Sequence, residues 1–228
     1  MVAEAVRAQL VEVHNAREAA LSSCRGTIRL AGSAIRAVHR HQPGRAAELT
    51  AQCEASLREA QRVLSDHPVI AHAGFLFDAE KEYAEAVLTA ALVEAEPLVD
   101  HRSLAVGLPS WLNGLAEAAS ELRRHLLDLL RNGRNEDAEA LLVTMDEVYD
   151  LLVGVDFPDA VTGGLRRRTD ALRAVLERTR SDLTTTTLQH RLQVALEAAG
   201  ALGLLPHVKS SGKAESLPHV EPPAGNGG

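Results

Sequence analysis

Apolar residues recur every three to four positions along most of the chain, a spacing that predicts amphipathic helices. Clusters of Pro and Gly interrupt this pattern and mark the ends of the helical segments. The six predicted segments are 3–41, 45–65, 69–95, 110–131, 135–154 and 164–198. The sequence has no convincing run of alternating β-branched residues, so it predicts no strand. We therefore predict an all-α fold, a single-domain bundle of about six to seven long helices.

Local signals refine three of the predicted helix boundaries. Asn132-Gly133 follows a last turn that contains an arginine, and this combination predicts a helix stop. Ser110 precedes an apolar-periodic run and predicts an N-cap. Residues 183–187, LTTTT, are poor helix formers because threonine is branched at Cβ. We expect them to kink or split the last helix.

The C-terminal end differs in composition from the rest of the chain. Residues 206–228 are rich in Pro, Gly and Ser and lack periodicity. Such a segment buries too little apolar surface to offset the entropy of ordering it. We predict one helical domain over residues 1–205, followed by a disordered tail. The wide apolar faces of the long helices also indicate that the protein forms an oligomer.

The overall composition excludes several classes of protein. The 24 basic and 31 acidic residues give a net charge of −7, which excludes a protein that binds polyanions by bulk charge. The aromatic content of 3% argues against modules that stack bases on aromatic side chains. Two cysteines are too few for a disulfide or zinc framework, so we expect a reducing, cytoplasmic location. No stretch is long and apolar enough to predict a membrane span, and the first residues lack the apolar core of a signal peptide.

Basic residues form one regular stripe on the first predicted helix. Its members are Arg25, Arg29, Arg36 and Arg40. At about 100° per residue they fall within roughly 60° of one another, and they span ~22 Å along the helix. That length covers several backbone phosphates of a nucleic acid. On pattern alone, a solvated face or a face that pairs with acidic helices is the favoured interpretation, because basic stripes are common.

Carboxylates are spaced at helical intervals on two other segments. Glu82 and Glu85 share one face of the third segment, and Glu117 and Glu121 share one face of the fourth. Four carboxylates on two facing helices could hold a hard divalent ion such as Mg²⁺ or Mn²⁺. The same spacing is common in ordinary surface pairs, and Lys81 is a ready counter-charge. The spacing alone leaves both interpretations open.

Two other basic groups have less specific patterns. His39 and His41 flank an arginine of the stripe, and we expect them to extend its basic face. Residues 163–168, GGLRRR, could seat a phosphate at a helix N-terminus, but a turn followed by a charged helix face is the favoured interpretation. Phosphate-binding glycine loops and zinc-protease motifs are absent from the sequence.

Several stretches, taken in order, resemble the translin family, whose members include translin and Trax. EYAEA resembles the EYVEA segment of Trax, and GLAEAASEL falls where Trax reads GVADLTGEL. The other matching stretches are REAALSSCRGTIRLAGSAIRAVHR, MDEVYDLL and GGLRRRTDALRAVLERTRSDL. Each motif is weak by itself, but the ordered set covers most of residues 17–185 and is fairly specific.

The resemblance implies a seven-helix protomer that assembles into a hollow octamer and binds single-stranded RNA and DNA on basic inner surfaces. It also implies the Mg²⁺-dependent endoribonuclease activity of Trax, which uses two glutamates of one helix and an acidic residue of the next. Carried over by motif, the two glutamates fall on Glu82 and Glu85. The aspartate of the Trax motif falls on Glu117, and its glutamate falls on Glu121. Glutamate in place of aspartate at position 117 adds one methylene and could shift a bound metal.

The residues and the resemblance together support a specific functional hypothesis, with two alternatives left open. The residues expected to hold the RNA backbone are Arg25, Arg29, Arg36 and Arg40. The expected ligands of one or two Mg²⁺ or Mn²⁺ ions are Glu82, Glu85, Glu117 and Glu121, the first three of them catalytic. Arg124 is expected to orient a carboxylate or to contact phosphate. The alternatives are a nucleic-acid-binding oligomer without catalysis and a helical scaffold with protein partners only.

Overall fold

The computed structural model describes residues 1–201, which form eight α-helices and no strand. The helices are α1 (Val2–His39), α2 (Pro43–Leu64), α3 (Pro68–Ala71), α4 (Phe75–Val93), α5 (Leu108–Arg131), α6 (Asn135–Val153), α7 (Asp159–Thr162) and α8 (Leu165–Ala201). The predicted all-α bundle of long helices is therefore confirmed. The predicted end of the domain at residue 205 and the predicted tail lie outside the described residues. No helix within residues 1–201 is both long and apolar enough to cross a membrane.

Contacts divide the chain into two units, Met1–Thr187 and a second that begins at Leu188. In the first unit, α1 packs against α2 and α4, and α4 packs against α5. α5 also packs against α6. Leucines at helical spacing on α5, including Leu115, Leu122 and Leu126, are fully buried in the core. Each fully buried leucine contributes about 1.5–3 kcal/mol of transfer free energy, so this face holds α5 at the centre of the bundle.

The end of α5 confirms the predicted helix stop. α5 ends at Arg131, and Gly133 adopts a left-handed φ of 71°. The amide of Gly133 donates to the carbonyl of Leu130, and the amide of Arg134 donates to the carbonyl of Leu129, both at 3.0 Å. These paired bonds form a Schellman motif, which a glycine completes without Cβ strain.

The start of α5 differs from the prediction, because Ser110 is not its N-cap. The helix begins at Leu108 after Gly107, and the buried hydroxyl of Ser110 donates to the carboxylate of Glu80, 3.1 Å away. The same carboxylate accepts the amide hydrogen of Gly107 at 3.0 Å. The cap of α5 therefore comes from a side chain of α4, which no local pattern around position 110 could indicate.

Two other boundaries also depart from the prediction. The predicted segment 69–95 is two helices, because Gly74 adopts a φ of 93° that helical backbone cannot follow. The last helix is not split at residues 183–187. There Leu183 is buried, and the Thr184 hydroxyl donates to the carbonyl of Arg180 one turn earlier at 2.8 Å. Burial and this side-chain bond offset the poor helix propensity of threonine.

The backbones of α4 and α5 approach closely at Gly114. A Cβ atom at position 114 would lie 2.8 Å from the carbonyl oxygen of Lys81 and 3.0 Å from the amide nitrogen of Glu85. Only glycine permits this contact. The close approach places the stretch of α4 from Lys81 to Glu85 directly against α5.

Candidate metal centre and nucleic-acid interface

Three carboxylates meet where α4 and α5 approach each other. One carboxylate oxygen from each of Glu82, Glu85 and Glu117 lies within 4.8 Å of the others. Glu85 is buried, and the other two are half-buried. We call these three residues the acidic cluster. Among the described residues, no other group of three His, Cys, Asp or Glu side chains converges in this way.

Two cations contact the acidic cluster. The buried ammonium group of Lys81 contacts Glu117 and lies 2.8 Å from Oε1 of Glu82. From α8, Nε of Arg168 donates to Oε1 of Glu117 at 2.8 Å. Three carboxyl groups are therefore matched by two positive charges.

The protonation of the acidic cluster accounts for this charge balance. Burial, reinforced by the negative charges of Glu117 and Glu82, raises the pKa of Glu85 to about 9. Burial opposes ionisation of Glu117 as well, but hydrogen bonds from Lys81 and Arg168 hold the pKa of this carboxyl below its usual range. This raised pKa favours the protonated form of Glu85 near pH 7, hydrogen-bonded to Glu117, which leaves two carboxylates facing two cations.

The carboxylate oxygens of the acidic cluster are suitable ligands for a hard divalent ion. Carboxylate oxygens are the preferred protein ligands of Mg²⁺ and Mn²⁺, and the cluster offers one from each of three residues on two rigid helices. Ionised Glu85 would supply the third negative charge. The half-buried position of Glu82 and Glu117 leaves the cluster open on one side.

Glu121 lies outside the acidic cluster, one turn further along α5. Its Oε2 atom accepts a hydrogen bond from Nε2 of His39 at 2.6 Å, so it joins α5 to the end of α1. The structure thus brings together three of the four predicted ligands. His39 does not extend the basic face as expected, because it is buried, with its Nδ1 unpartnered within the described residues. Helical spacing predicts that Glu121 shares a face of α5 with Glu117. It gives no sign that Glu121 pairs with His39 of α1.

The predicted basic stripe is exposed. Its four arginines are all exposed to solvent, and we call them the basic face: Arg25, Arg29, Arg36 and Arg40. None of them forms an ion pair within Met1–Thr187, whereas most other arginines of this unit do. Within residues 1–201, the basic face makes a single side-chain hydrogen bond, from Arg36 to the hydroxyl of Ser33 at 2.8 Å. The basic face is therefore not used to neutralise acidic helices of its own unit.

Arg124 does not orient a carboxylate of the acidic cluster; Arg168 does. Arg124 is exposed and lines an open groove of about 470 Å³ along α5, beside Glu121 and Asp128. Arg168 comes from the segment GGLRRR, which we considered as a phosphate seat. In the sequence, Arg168 stands out only because it lies in the stretch GGLRRRTDALRAVLERTRSDL, which resembles the translin family. No local pattern indicates that α8 packs against α5.

The first glycines of that segment form a turn. Gly163 and Gly164 adopt left-handed φ angles of 64° and 81°. The amide nitrogen of the Asn113 side chain donates to the carbonyl oxygen of Thr162 at 2.7 Å and holds the turn against α5. This anchored turn directs α8 so that Arg168 reaches Glu117.

The sequence is similar to part of one uncharacterized protein. No family model matches the sequence. The uncharacterized protein MJ0175 of Methanocaldococcus jannaschii is 27% identical over 113 residues, which are 49% of this chain and 50% of the relative. The match therefore spans about half the length of that relative.

Solved structures of the C3PO/translin family match over most of the chain. A complex of AfC3PO with duplex RNA superposes with a TM-score of 0.76 at 29% identity, covering 83% of this chain and 98% of that one. AfC3PO itself gives a TM-score of 0.75 at the same identity and coverage. Apo-NeC3PO gives 0.73 at 16% identity, covering 80% of this chain and 96% of that one, which supports the fold alone. In its ordered motifs and in its fold, the chain is thus similar to proteins of a translin-like family.

Proposed function

We propose that this chain is an RNA-binding protein whose acidic cluster supports divalent-metal-dependent hydrolysis of RNA. One observation carries the proposal: three carboxylates that the family motifs mark as catalytic converge in space. The structural likeness to AfC3PO, of which a complex with duplex RNA is known, favours RNA as the ligand.

The basic face is the proposed RNA-binding surface. Its four arginines are exposed and lack ion pairs within the first unit, so each is available to a phosphate. Arginine binds phosphate with two parallel hydrogen bonds, and such contacts hold a backbone without reading its sequence. Neutralising four phosphates predicts a slope of about −3 for the logarithm of affinity against the logarithm of salt concentration.

The residues proposed to hold the metal are Glu82, Glu85 and Glu117. When bound, the ion would supply Lewis-acid polarisation of the phosphodiester and a water of lowered pKa. Glu85 would give up its proton to serve as a ligand. Arg168 would hold Glu117 in place, and the glutamate at position 117 would provide the oxygen that aspartate provides in the Trax motif. Glu121 would act outside the ligand set, by tying α1 to α5.

We also propose that the protein is a cytoplasmic homo-oligomer. The family resemblance makes an octamer the expected assembly and single-stranded DNA a further ligand. Val2, Val6 and Leu10 are exposed on the first turns of α1 and form an apolar stripe suited to contact between protomers. The two cysteines are free and buried, as expected in a reducing compartment.

One structural observation favours a second candidate, an RNA-binding protein without catalysis. Lys81 and Arg168 already balance the charge of the acidic cluster, so its carboxylates are stable without a metal. The two candidates differ in cleavage, not in binding. A scaffold that has only protein partners would not bind RNA, so no salt-dependent RNA affinity would be measured.

A cleavage assay separates these candidates. The purified chain is incubated with single-stranded and duplex RNA in Mg²⁺, Mn²⁺ or EDTA, beside Glu82→Gln and Glu85→Gln. Glu147→Gln is the matched control, because Glu147 is an exposed glutamate of α6 far along the chain from the acidic cluster. Metal-dependent cleavage that both cluster variants lose and the control retains supports the nuclease. Binding without cleavage under every condition supports the non-catalytic alternative.

A further inference from the structure

Lys81 is an unusual residue in this chain. Three of the 24 basic residues are lysines, and Lys81 is the only lysine among the described residues. Arginine supplies every other permanently positive side chain over residues 1–201. The one lysine is buried between α4 and α5, with its ammonium group in contact with Glu82 and Glu117.

The position of Lys81 is set by the packing of the helices. Its carbonyl oxygen lies where α5 approaches most closely, opposite Gly114. A buried ammonium group without carboxylates, or converging carboxylates without a cation, would each be strongly unfavourable. Lys81 and the acidic cluster therefore stabilise each other, and this stabilisation requires no metal.

The ammonium group of Lys81 and a divalent ion would bind the same two carboxylates, those of Glu82 and Glu117. Lys81 contacts Oε1 of Glu82 and Oε2 of Glu117, both of which belong to the acidic cluster. A divalent ion placed between Glu82 and Glu117 would strongly repel an ammonium group at the same position, so the two compete. The lysine ammonium is a point charge on a flexible four-carbon stem, so it can withdraw from the two carboxylates.

We propose that Lys81 is a built-in counter-ion of the acidic cluster, and that a divalent cation binds by displacing its ammonium group from Glu82 and Glu117. The inference rests on the metal site of the proposed function. Lys81 keeps the metal-free protein folded and weakens its affinity for divalent ions. The metal site then fills only when the ion is abundant enough to displace the lysine.

Calorimetric titration of the full chain with Mn²⁺ tests this competition directly. The proteins compared are wild type, Lys81→Met, and Arg178→Met, which removes one positive charge from an exposed arginine of α8. We expect Lys81→Met to bind Mn²⁺ about ten-fold or more tightly than wild type, since the competing cation is gone. Adding Glu117→Gln to Lys81→Met should abolish the gain, and Arg178→Met should bind as wild type does. Equal or weaker binding by Lys81→Met, or no binding by either, overturns the proposal.

A thermal-unfolding series covers the case in which Lys81→Met folds poorly. In EDTA, Lys81→Met should unfold at a lower temperature than wild type, because its carboxylates repel one another. Mn²⁺ should raise the Tm of Lys81→Met by more than it raises that of wild type. Lys81→Arg should restore the metal-free Tm without increasing the response to Mn²⁺. Equal responses of Lys81→Met and wild type contradict the competition.

The RNA-cleavage assay on the same proteins separates this inference from the proposed function. If wild type cleaves RNA with Mn²⁺ but Lys81→Met binds Mn²⁺ no more tightly, the inference is wrong and the nuclease proposal stands. If Lys81→Met binds Mn²⁺ more tightly but no protein cleaves RNA, the nuclease proposal is wrong and the counter-ion inference stands.

Discussion

Arg168 on α8 donates a 2.8 Å hydrogen bond from Nε to Oε1 of Glu117 on α5, and so links two residues 51 positions apart. Glu117 also contacts Lys81 of α4. One glutamate therefore joins three helices through charged groups that are half-buried or buried. The acidic cluster is in this sense part of the packing of the bundle as well as its candidate site.

Removing the guanidinium at position 168 should weaken this link. We expect Arg168→Ala to lower the free energy of unfolding by about 1–2 kcal/mol, because a partly exposed hydrogen bond to a charged group is removed. Urea unfolding in EDTA measures the change. Arg167→Ala, an exposed neighbour on α8, is the control and should stay within about 0.5 kcal/mol of wild type. Equal effects of the two substitutions would show that the link to Glu117 contributes nothing.

The close approach at Gly114 should not tolerate a methyl group. In Gly114→Ala the new Cβ would meet the Lys81 carbonyl oxygen at 2.8 Å, so α4 and α5 would have to separate. We expect a decrease of about 1–3 kcal/mol in the free energy of unfolding, measured in urea. Gly44→Ala is the matched control, because nothing lies within 4 Å of a Cβ at that position on α2. It should be neutral or slightly stabilising, by up to about 1 kcal/mol. A Gly114→Ala protein as stable as Gly44→Ala would contradict the close packing.

The raised pKa of Glu85 makes a prediction about stability and pH. Its pKa rises from 4.5 to about 9 on folding, mainly because the group is buried. Between these values the folded protein holds a proton that the unfolded chain has released, so the contribution of Glu85 to stability falls as pH rises. Glutamine has no such proton, and its amide has the same shape.

Unfolding of wild type and Glu85→Gln at pH 5, 7 and 9, in EDTA, measures this contribution. We expect Glu85→Gln to gain stability relative to wild type at each step from pH 5 to pH 9. A difference that stays constant over this range would mean that Glu85 is already ionised in the folded protein. The same variant should lose metal-dependent cleavage, so its stability and activity should change in opposite directions at high pH.

Charge reversal on the basic face should weaken RNA binding. We expect Arg29→Glu combined with Arg36→Glu to lower affinity and to reduce the magnitude of the salt slope by about 1.5, because the variant no longer neutralises two of the four phosphates. Fluorescence anisotropy over a series of salt concentrations measures both quantities. The charge-matched control reverses Arg45 and Arg62 of α2, which pair with Glu48 and Glu59. If both variants bind equally well, the basic face is not the RNA-binding surface.

Helical periodicity is sufficient to predict the all-α fold and the helix faces on which the candidate site residues lie. A face depends only on the spacing of residues along one helix, so Glu82 and Glu85 could be grouped from the sequence alone. The hydrogen bond of Arg168 to Glu117 and that of His39 to Glu121 depend on how helices rotate and cross. These two bonds change the site most, since they separate Glu121 from the cluster and give Glu117 a partner on α8.

Packing also explains the boundaries that the sequence pattern missed. The Glu80 carboxylate caps α5 from a neighbouring helix, and so Ser110 is not needed as a cap. The burial of Leu183 keeps α8 intact where local propensity predicted a break. In both cases a tertiary interaction outweighs a local preference of a few tenths to about 1 kcal/mol.

The most direct measurement of the central claim is cleavage of single-stranded and duplex RNA by the purified chain with and without Mg²⁺ or Mn²⁺. Wild type, Glu82→Gln and Glu121→Gln are compared at equal concentration, after each is shown to be folded. We predict that wild type and Glu121→Gln cleave RNA only with the metal, and that Glu82→Gln binds RNA but does not cleave it. Cleavage that persists in EDTA or in Glu82→Gln, or no cleavage by wild type under any condition, would contradict this prediction.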